Sequence, residues 1–441
     1  MRKALIFLAL LVAAGAGFWF WFTAPDEARL APEAVMGRQP QITPARRETF
    51  PTIGVAEVER WKANEAPTPA QGLAVRRFAD GLDHPRWLYR LPNGDVLVAE
   101  SNSPPRDRGG IKGWVMNRLM RRAGATVPSA NRITLLRDGD GDGVAEARSV
   151  LLTGLDSPFG MALVGDWLYV GNHDELVRYP YRAGATRITA APERIVALPG
   201  GGNHWARNVI AAPGGKRLYV TVGSASNIAE DGLAVEKNRA NILEVDPERK
   251  TFRVFAAGLR NPNGMAYEPR SGRLWTVVNE RDMLGSDLPP DYLTAVNLGD
   301  FFGWPWFYWG GYIDSRVEPQ RPDLREYSRR PDYALGAHTA SLGLSFAGDA
   351  QLGPRFASGA FIGQHGSWNR QPLTGYKVIF VPFGADGFPA RGQKPADVLT
   401  GFLGQDGKAR GRPVGVITDK GGALLVADDV GNVIWRVSAA R

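Results

Sequence analysis

Short apolar runs recur in pairs along this chain, and each pair is joined by a turn that contains glycine, proline or asparagine. Six such segments follow one another, beginning at Leu82, Leu155, Asn203, Leu259, Ser341 and Arg410. Strand pairs repeated roughly every 50 to 80 residues are typical of a β-propeller, in which each repeat forms one blade. The pattern therefore predicts an all-β, six-bladed propeller whose repeats begin around one axial mouth.

Composition agrees with many short strands and narrows the chemistry. The 441 residues include 53 glycines and 32 prolines, which suit turns, and the repeats assign residues 71–441 to one propeller domain. No cysteine is present, which excludes disulfides, thiolate metal sites and cysteine nucleophiles. The formal net charge is +8, but the basic residues are scattered, with only short clusters such as Arg118, Arg121 and Arg122. No nucleic-acid partner is therefore expected.

The N-terminus carries an apolar stretch that the repeats do not explain. Arg2 and Lys3 precede it, and its length of about 20 residues matches the hydrocarbon thickness of a bilayer. Residues 1–23 are thus predicted to form a transmembrane helix or signal anchor, and residues 24–70 a tether to the propeller. Small residues from Ala13 to Ala16 also allow a cleaved signal peptide. Both alternatives place the propeller in the periplasm.

An acidic, glycine-rich loop precedes the second repeat. Its carboxylates come from Asp138, Asp140, Asp142 and Glu146. Alternate carboxylates in a tight loop can surround a hard cation, so this loop is predicted to bind a structural Ca2+. Ser149 stands where an EF-hand has its bidentate glutamate, so the loop is not a complete EF-hand, and a solvated acidic turn is the alternative.

The starts of three repeats supply polar residues for the mouth. His204 follows three glycines at the start of the third repeat, although a lone histidine is more often structural. Arg260 and Asn261 open the fourth repeat, and Arg410 and Arg412 open the sixth. Guanidinium groups pair bidentately with carboxylates, so several arginines near one histidine suit a planar, multiply charged anion such as a tricarboxylate.

Taken together, these residues resemble those of a known protein family. From Val75 to Val437 the chain resembles the pyrroloquinoline quinone (PQQ) dependent sugar dehydrogenases with a six-bladed propeller, which include soluble quinoprotein glucose dehydrogenase and the aldose sugar dehydrogenases. It looks closest to the membrane-associated L-sorbosone dehydrogenase-like branch. The signatures that carry the resemblance are Asn203-His204, the run 259–266, Phe302-Gly303-Trp304-Pro305 and Arg410-x-Arg412.

The resemblance implies PQQ and Ca2+ as cofactors and assigns roles to single residues. His204 matches the general base, with Asn203 where the family has its aspartate. Arg260 and Asn261 match an Arg-Asn pair that contacts the quinone and the substrate, and Asn279 replaces a glutamine. Glu280 and Arg281 match the two residues whose backbone carbonyls bind the cofactor's Ca2+. Arg410 and Arg412 match the pair that binds the PQQ carboxylates, and Arg370 takes the place of a lysine.

The expected function is oxidation of a sugar or sugar-derived aldehyde, with a small-molecule substrate and an electron acceptor of the respiratory chain as partners. An imidazole can take the hydroxyl proton while hydride leaves the same carbon. Two alternatives stay open: a cofactor-free propeller that serves as an envelope binding or scaffold module, and a propeller lactonase or hydrolase. The arginine-rich mouth disfavours the latter. His84 and His365 are further candidates for the pocket.

Overall fold

The computed structural model describes residues 15, 25–46, 48, 52–105 and 110–440. The predicted transmembrane helix over residues 1–23 therefore lies outside the described residues, apart from Gly15. Within the described ranges, no helix combines the length and the apolar character needed to cross a bilayer.

Six antiparallel sheets form the six predicted blades, and their first strands contact one another in a closed ring around the axis. The strands of blade 1 are Pro85–Arg90, Val96–Glu100, Arg132–Arg137 and Ala147–Leu152. Those of blade 2 are Met161–Val164, Trp167–Gly171, Glu175–Pro180 and Glu193–Ala197. Those of blade 3 are Val209–Ala211, Leu218–Val222, Asn241–Asp246 and Thr251–Ala257.

The second half of the chain repeats this order from the innermost strand outward. Blade 4 has Pro262–Tyr267, Leu274–Val278, Pro290–Ala295 and Tyr333–Ala337. Blade 5 has Ser341–Phe346, Gly359–Gln364, Lys377–Pro382 and Ala396–Thr400. Blade 6 has Pro413–Thr418, Leu424–Asp428, Val433–Ala439 and, as its outermost strand, Leu73–Ala79. The N-terminal strand thus closes the ring by completing the last blade.

A few short elements decorate the ring. Met36–Gly37 adds a fifth strand to blade 4, and Thr68–Pro69 adds one to blade 5. Phe307–Tyr308 pairs with Tyr312–Ile313. Helix α1, Gly110–Arg122, lies between the second and third strands of blade 1. The 3-10 turns are Pro32–Val35, Pro322–Leu324, Ala347–Asp349 and Pro354–Phe356.

The core lies between neighbouring blades. Because each blade is covered on both faces, its second strand is buried throughout, as in Val96–Glu100 and Leu274–Val278. Trp275, for example, is fully buried and contacts Phe383 and Phe388 in edge-to-face geometry. This packing makes the ring a rigid support for its loops.

Neighbouring antiparallel strands alternate in direction, so two sets of loops emerge at one end of the ring. They are the loops that lead into each first strand and the loops that join the second strand to the third. We call this end the mouth face. It gathers the six repeat starts, as the sequence predicts.

The described part of the predicted tether is attached to the propeller. We call residues 25–46 and 52–61 the strap. Its Gly54 N–H donates to the carbonyl of Trp368, and its Val58 N–H donates to that of Arg122. Trp61 packs edge-on against Phe402 and donates to Asp428. Over these residues the predicted tether is held to the mouth face by main-chain hydrogen bonds and by the partly buried indole of Trp61.

Candidate active site

A cavity of about 640 Å3 opens at the mouth face between the loops of blades 1, 2, 3, 5 and 6. The residues on its wall that matter most are His84, Arg86, Asn102, Trp205, His365 and Asp429. Trp205 gives the cavity an aromatic side, and the guanidinium of Arg86 stacks 5.5 Å from its ring centre. Its volume is that of a pocket for a small molecule.

Asp429 lies at the centre of a cationic cluster beside this cavity. Its Oδ2 is 2.8 Å from Nε2 of His365 and 3.4 Å from Nε2 of His84, and it also accepts a hydrogen bond from Arg86. Although burial opposes this effect, the charges of His365, His84 and Arg86 hold the pKa of Asp429 well below its usual value. The carboxylate is therefore ionised and fully engaged, and it orders these three side chains.

Three nitrogen atoms of this cluster are buried without a hydrogen-bond partner among the described residues: Nδ1 of His84, Nε of Arg86 and Nε of Arg412. Arg412 stacks over Tyr376, and its charge adds to the burial that lowers the pKa of His365. A buried N–H donor without an acceptor is costly, by about 1 to 3 kcal/mol. This wall thus suits an anionic ligand that offers several acceptor oxygens.

His204 lies at the start of the first strand of blade 3. Its Nδ1 is 2.7 Å from the carbonyl oxygen of Ser224 and 3.1 Å from the Ser224 hydroxyl. Since a carbonyl only accepts, Nδ1 carries the proton, and the neutral ring then has its lone pair on Nε2. Ser224, two residues after the second strand, thereby orients the imidazole.

Gly223 brings His204 close to Asn261. A Cβ atom at Gly223 would lie 2.4 Å from Oδ1 of Asn261 and 2.5 Å from Cβ of His204, so only glycine fits between them. Arg207 supports this corner from below by donating to the carbonyl of His204. Of the predicted residues, His204 and Asn261 are thus brought together.

Arg260 does not present its guanidinium to the cavity. Nε and Nη2 donate to the carbonyl and Oδ1 of Asn227, Nη1 donates to Asn279 and to the carbonyl of Glu280, and Nη2 also reaches Asp282 at 3.1 Å. All its N–H groups are engaged, so the structure gives Arg260 the role of joining the loops of blades 3 and 4. The sequence-based role of contacting cofactor and substrate does not fit this arrangement.

The residues predicted for the cofactor's Ca2+ also have other partners. The carbonyl of Glu280 accepts from Arg260, so a cation there would face a guanidinium. The carboxylate of Glu280 pairs with Arg281, and Arg281 is fully buried against the carbonyls of Pro305 and Phe307. The carbonyl of Glu280, already bonded to a guanidinium, therefore does not fit a cation site, and the side chain of Arg281 is not available to one. Asn279 donates to Asp291, whose pKa is raised by burial to about 6.

The three other predicted arginines, Arg370, Arg410 and Arg412, have different surroundings. Arg412 joins the cationic cluster by its stacking on Tyr376 near His365. Arg370 is buried beneath the strap, where it donates to the carbonyl of Pro372 and lies 4.0 Å from Asp287. Arg410 lies near Glu65, whose pKa it helps to lower after the larger effect of Lys62. Of these three arginines, Arg412 is the one that lies near a residue of the cavity wall, His365.

A second histidine–aspartate pair lies on the mouth face and was not predicted from the sequence. Nδ1 of His338 is 3.4 Å from Oδ1 of Asp282, and its Nε2–H donates to the carbonyl of Gly285 at 3.1 Å. Although burial opposes it, Asp282 raises the pKa of His338. The signal was position, because all five histidines lie in loops of this face, either before a first strand or between a second and a third strand. Asp429 and Arg86 carried no such signal.

The acidic loop lies elsewhere, between the third and fourth strands of blade 1, at the end of the ring opposite the mouth. Ligand atoms of Asp138, Asp140, Asp142 and Glu146 all lie within 4.8 Å of one another. Asp138 accepts hydrogen bonds from the N–H groups of Gly141 and Gly143, which shapes the loop. The predicted carboxylates are thus brought together, far from the cavity.

His84 should make stability sensitive to acid. Burial, assisted by Arg86 and His365 and opposed by Asp429, lowers its pKa to about 4 from an ordinary 6.5. The unfolded chain therefore takes up a proton between pH 6.5 and 4 that the folded chain does not, and stability is lost as pH falls, by up to about 3 kcal/mol. Urea unfolding at pH 7 and pH 4.5 should show a smaller loss in His84→Gln than in the wild type.

Asp291 and Asp428 test this interpretation as an internal control. Burial raises the pKa of each to about 6, so they oppose the effect of His84 over the same pH range. Both are present in the two proteins, so their contributions cancel in the difference. Parallel profiles for wild type and His84→Gln would show that His84 is not the group responsible.

Several known proteins are similar to this chain in sequence. The TrAA12-like family profile matches residues 67–289 and 321–440. An uncharacterised protein of Borreliella burgdorferi is 32% identical over 222 residues, covering 50% of this chain and 57% of that protein. A PQQ-dependent pyranose dehydrogenase of Coprinopsis cinerea is 27% identical over 385 residues, covering 76% of this chain and 47% of the enzyme. The chain thus spans about half the length of these curated relatives.

Solved structures support the same architecture. The holo form of the PQQ domain of pyranose dehydrogenase from Coprinopsis cinerea superposes with a TM-score of 0.68 at 21% identity, over 87% of this chain and all of that domain. At this identity the likeness concerns the fold. The family profile covers most of the propeller, and the chain therefore belongs to the TrAA12-like family.

Proposed function

We propose that this chain is a PQQ-dependent dehydrogenase that oxidises a sugar or a sugar-derived aldehyde at the propeller mouth. The observation that carries the proposal is a pair of buried, unpartnered guanidinium Nε atoms: that of Arg86, on the wall of the cavity of about 640 Å3, and that of Arg412, near His365 of the same wall. PQQ offers three carboxylates and quinone oxygens, which are the acceptors that these donors lack. The name of the Coprinopsis cinerea relative points to the same cofactor and substrate class.

In this proposal each residue near the cavity has a physical task. Arg86 and Arg412 hold the anionic cofactor, and Trp205 excludes water from one side of it. PQQ, when bound, supplies the hydride acceptor. His204 receives the substrate's hydroxyl proton at Nε2, because Ser224 fixes the tautomer with the proton on Nδ1. Arg260 positions the loops around His204 through Asn227 and Asp282.

The alternative of a cofactor-free scaffold is disfavoured by the same atoms. A binding module without an anionic ligand gains nothing from buried guanidinium donors that have no acceptor, and such donors are costly. A lactonase would need a cage of side-chain oxygens around a cation. At this mouth Asp429 is instead surrounded by His84, His365 and Arg86.

The sequence also supports proposals about location, electron transfer and substrate. The apolar residues 1–23 would anchor the chain in a membrane, the propeller would lie in the periplasm, and electrons would pass to an acceptor of the respiratory chain. Sorbosone-type aldehydes and aldoses are the proposed substrates.

Calorimetric titration of the full chain tests the cofactor assignment. PQQ should bind saturably, whereas an ortho-quinone of similar size without carboxylates should bind weakly, because the donors of Arg86 and Arg412 require anionic oxygens. Equal affinity for the two quinones would contradict the assignment, and so would no binding of either.

We also propose that the acidic loop holds a structural Ca2+. Asp140→Ala should remove most of the thermal stabilisation that added Ca2+ confers, while PQQ affinity stays unchanged, because the loop lies at the opposite end of the ring. Arg76 and Arg436 lie against Gly143 and supply competing positive charge, so the gain from Ca2+ should be modest. Melting curves with and without Ca2+ measure this, and an identical Ca2+ effect in the variant would exclude the loop.

A further inference from the structure

A second group of potential metal ligands lies on the rim of the mouth, at the edge of the cavity described above. It consists of Asp156, in the loop that enters blade 2, and of His173 and Asp174, in the loop between the second and third strands of that blade. Their ligand atoms all lie within 4.8 Å of one another. Nδ1 of His173 is 2.9 Å from Oδ2 of Asp156 and 3.9 Å from Oδ1 of Asp174.

The imidazole of this group is not satisfied by its neighbours. Nδ1 of His173 is shielded from solvent and has no hydrogen bond of acceptable geometry, although an oxygen of Asp156 is within reach. The nitrogen therefore faces two carboxylates without a directed bond to either. Such an atom gains more from a cation shared with both oxygens than from a poorly aligned contact.

The main chain holds the two loops in fixed relation. The N–H of His173 donates to the carbonyl of Asp156, and the N–H of Leu198 donates to that of Asp174. Gly200 closes the back of the group, since a Cβ atom there would lie 2.9 Å from Cβ of Asp174 and 3.4 Å from Nε2 of His173. The backbone is thus preorganised, while the carboxylates of Asp156 and Asp174 are about half exposed and can turn.

We propose that Asp156, His173 and Asp174 bind a divalent transition metal ion of the Zn2+ type. An imidazole nitrogen with two carboxylate oxygens suits such an ion, whereas Ca2+ prefers oxygen ligands alone. Zn2+ takes these ligands at about 2.0 to 2.2 Å, so the separated oxygens need to move by about an ångström. The two exposed carboxylates can make that movement by rotating.

The ion would stabilise the loops at the edge of the cavity. Asp156 also lines the cavity wall, so solvent reaches the group from the mouth. Binding there would tie the loop entering blade 2 to the loop within blade 2. The proposal does not depend on the proposed dehydrogenase activity, and its test does not use that activity.

The test is Zn2+ binding to the full chain after treatment with EDTA, measured by calorimetry, with Co2+ absorbance as a second probe. His173→Gln and Asp174→Asn should each weaken Zn2+ binding by about tenfold or more, and the Co2+ bands should be lost in His173→Gln. The matched control is His365→Gln, which removes the histidine that faces Asp429 and should leave Zn2+ affinity unchanged. Asp140→Asn is the control for the acidic loop and should leave it unchanged as well.

Several outcomes would overturn the proposal. If the wild-type chain binds no Zn2+, the group is an ion pair only. If His365→Gln loses Zn2+ while His173→Gln retains it, the ion belongs to the cationic cluster. Should His173→Gln fail to fold by circular dichroism, Asp174→Asn decides, because that carboxylate is half exposed, and an unchanged affinity in it counts against the site.

Discussion

Replacing His204 by alanine should leave PQQ bound and should lower turnover per bound PQQ by about 100-fold or more. The cofactor is held by Arg86 and Arg412, so its affinity does not need the imidazole of His204. The proton acceptor, however, is lost, and general base catalysis contributes about 100-fold or more. Dye reduction with a saturating aldose, divided by PQQ content, measures the effect.

His204→Gln separates a catalytic from a structural role. Glutamine can keep a hydrogen bond to Ser224, but an amide cannot accept a proton at neutral pH, so it should be as inactive as alanine. A structural histidine would behave differently, with stability and cofactor content falling together and the turnover per bound PQQ staying normal. A normal value in His204→Ala would therefore remove His204 from the catalytic role.

The second large effect concerns two arginines that sit two residues apart. Arg412→Ala should weaken PQQ binding by about 30-fold, the equivalent of about 2 kcal/mol for a charge-assisted hydrogen bond in a partly desolvated site. Arg410→Ala should change affinity little, because Arg410 lies near Glu65 of the segment that leads to Thr68 rather than beside the cavity. Calorimetric titration of both variants with PQQ gives the comparison.

This pair distinguishes the structural account from the sequence pattern. The Arg410-x-Arg412 match alone predicts that both arginines grip the carboxylates and that both variants lose affinity. Equal losses in Arg410→Ala and Arg412→Ala would favour the sequence pattern over the arrangement described here. No loss in Arg412→Ala would exclude the cationic cluster as the cofactor site.

The fold could be predicted from the sequence because the same strand-pair pattern occurs six times. Six degenerate strand pairs each carry the same information, so errors in single strands do not change the fold. The exception is Leu73–Ala79, which completes blade 6 but comes before the first repeat. Its partner, Val433–Ala439, lies at the other end of the chain, and ring closure of this kind leaves no local signal.

The site was predicted only as far as the repeat starts determine it. His204 and Arg412 lie in loops that lead into first strands, which is where their place in the repeats puts them. The tasks of Arg260, Glu280 and Arg281 depend on partners in other loops, such as Asn227, so residue matching could not assign them. Residues 24–70 were predicted to form a tether, but the strap is held largely by main-chain hydrogen bonds, which composition does not reveal.

The most direct test of the central claim is reconstitution of activity at known PQQ stoichiometry. The full chain, in buffer with Ca2+, is titrated with PQQ while dye reduction is followed across a panel of aldoses and sugar-derived aldehydes. The account predicts that activity with at least one of these substrates rises with added PQQ and saturates at one PQQ per chain. Saturable PQQ binding without dye reduction by any substrate, or activity that does not depend on PQQ, would contradict it.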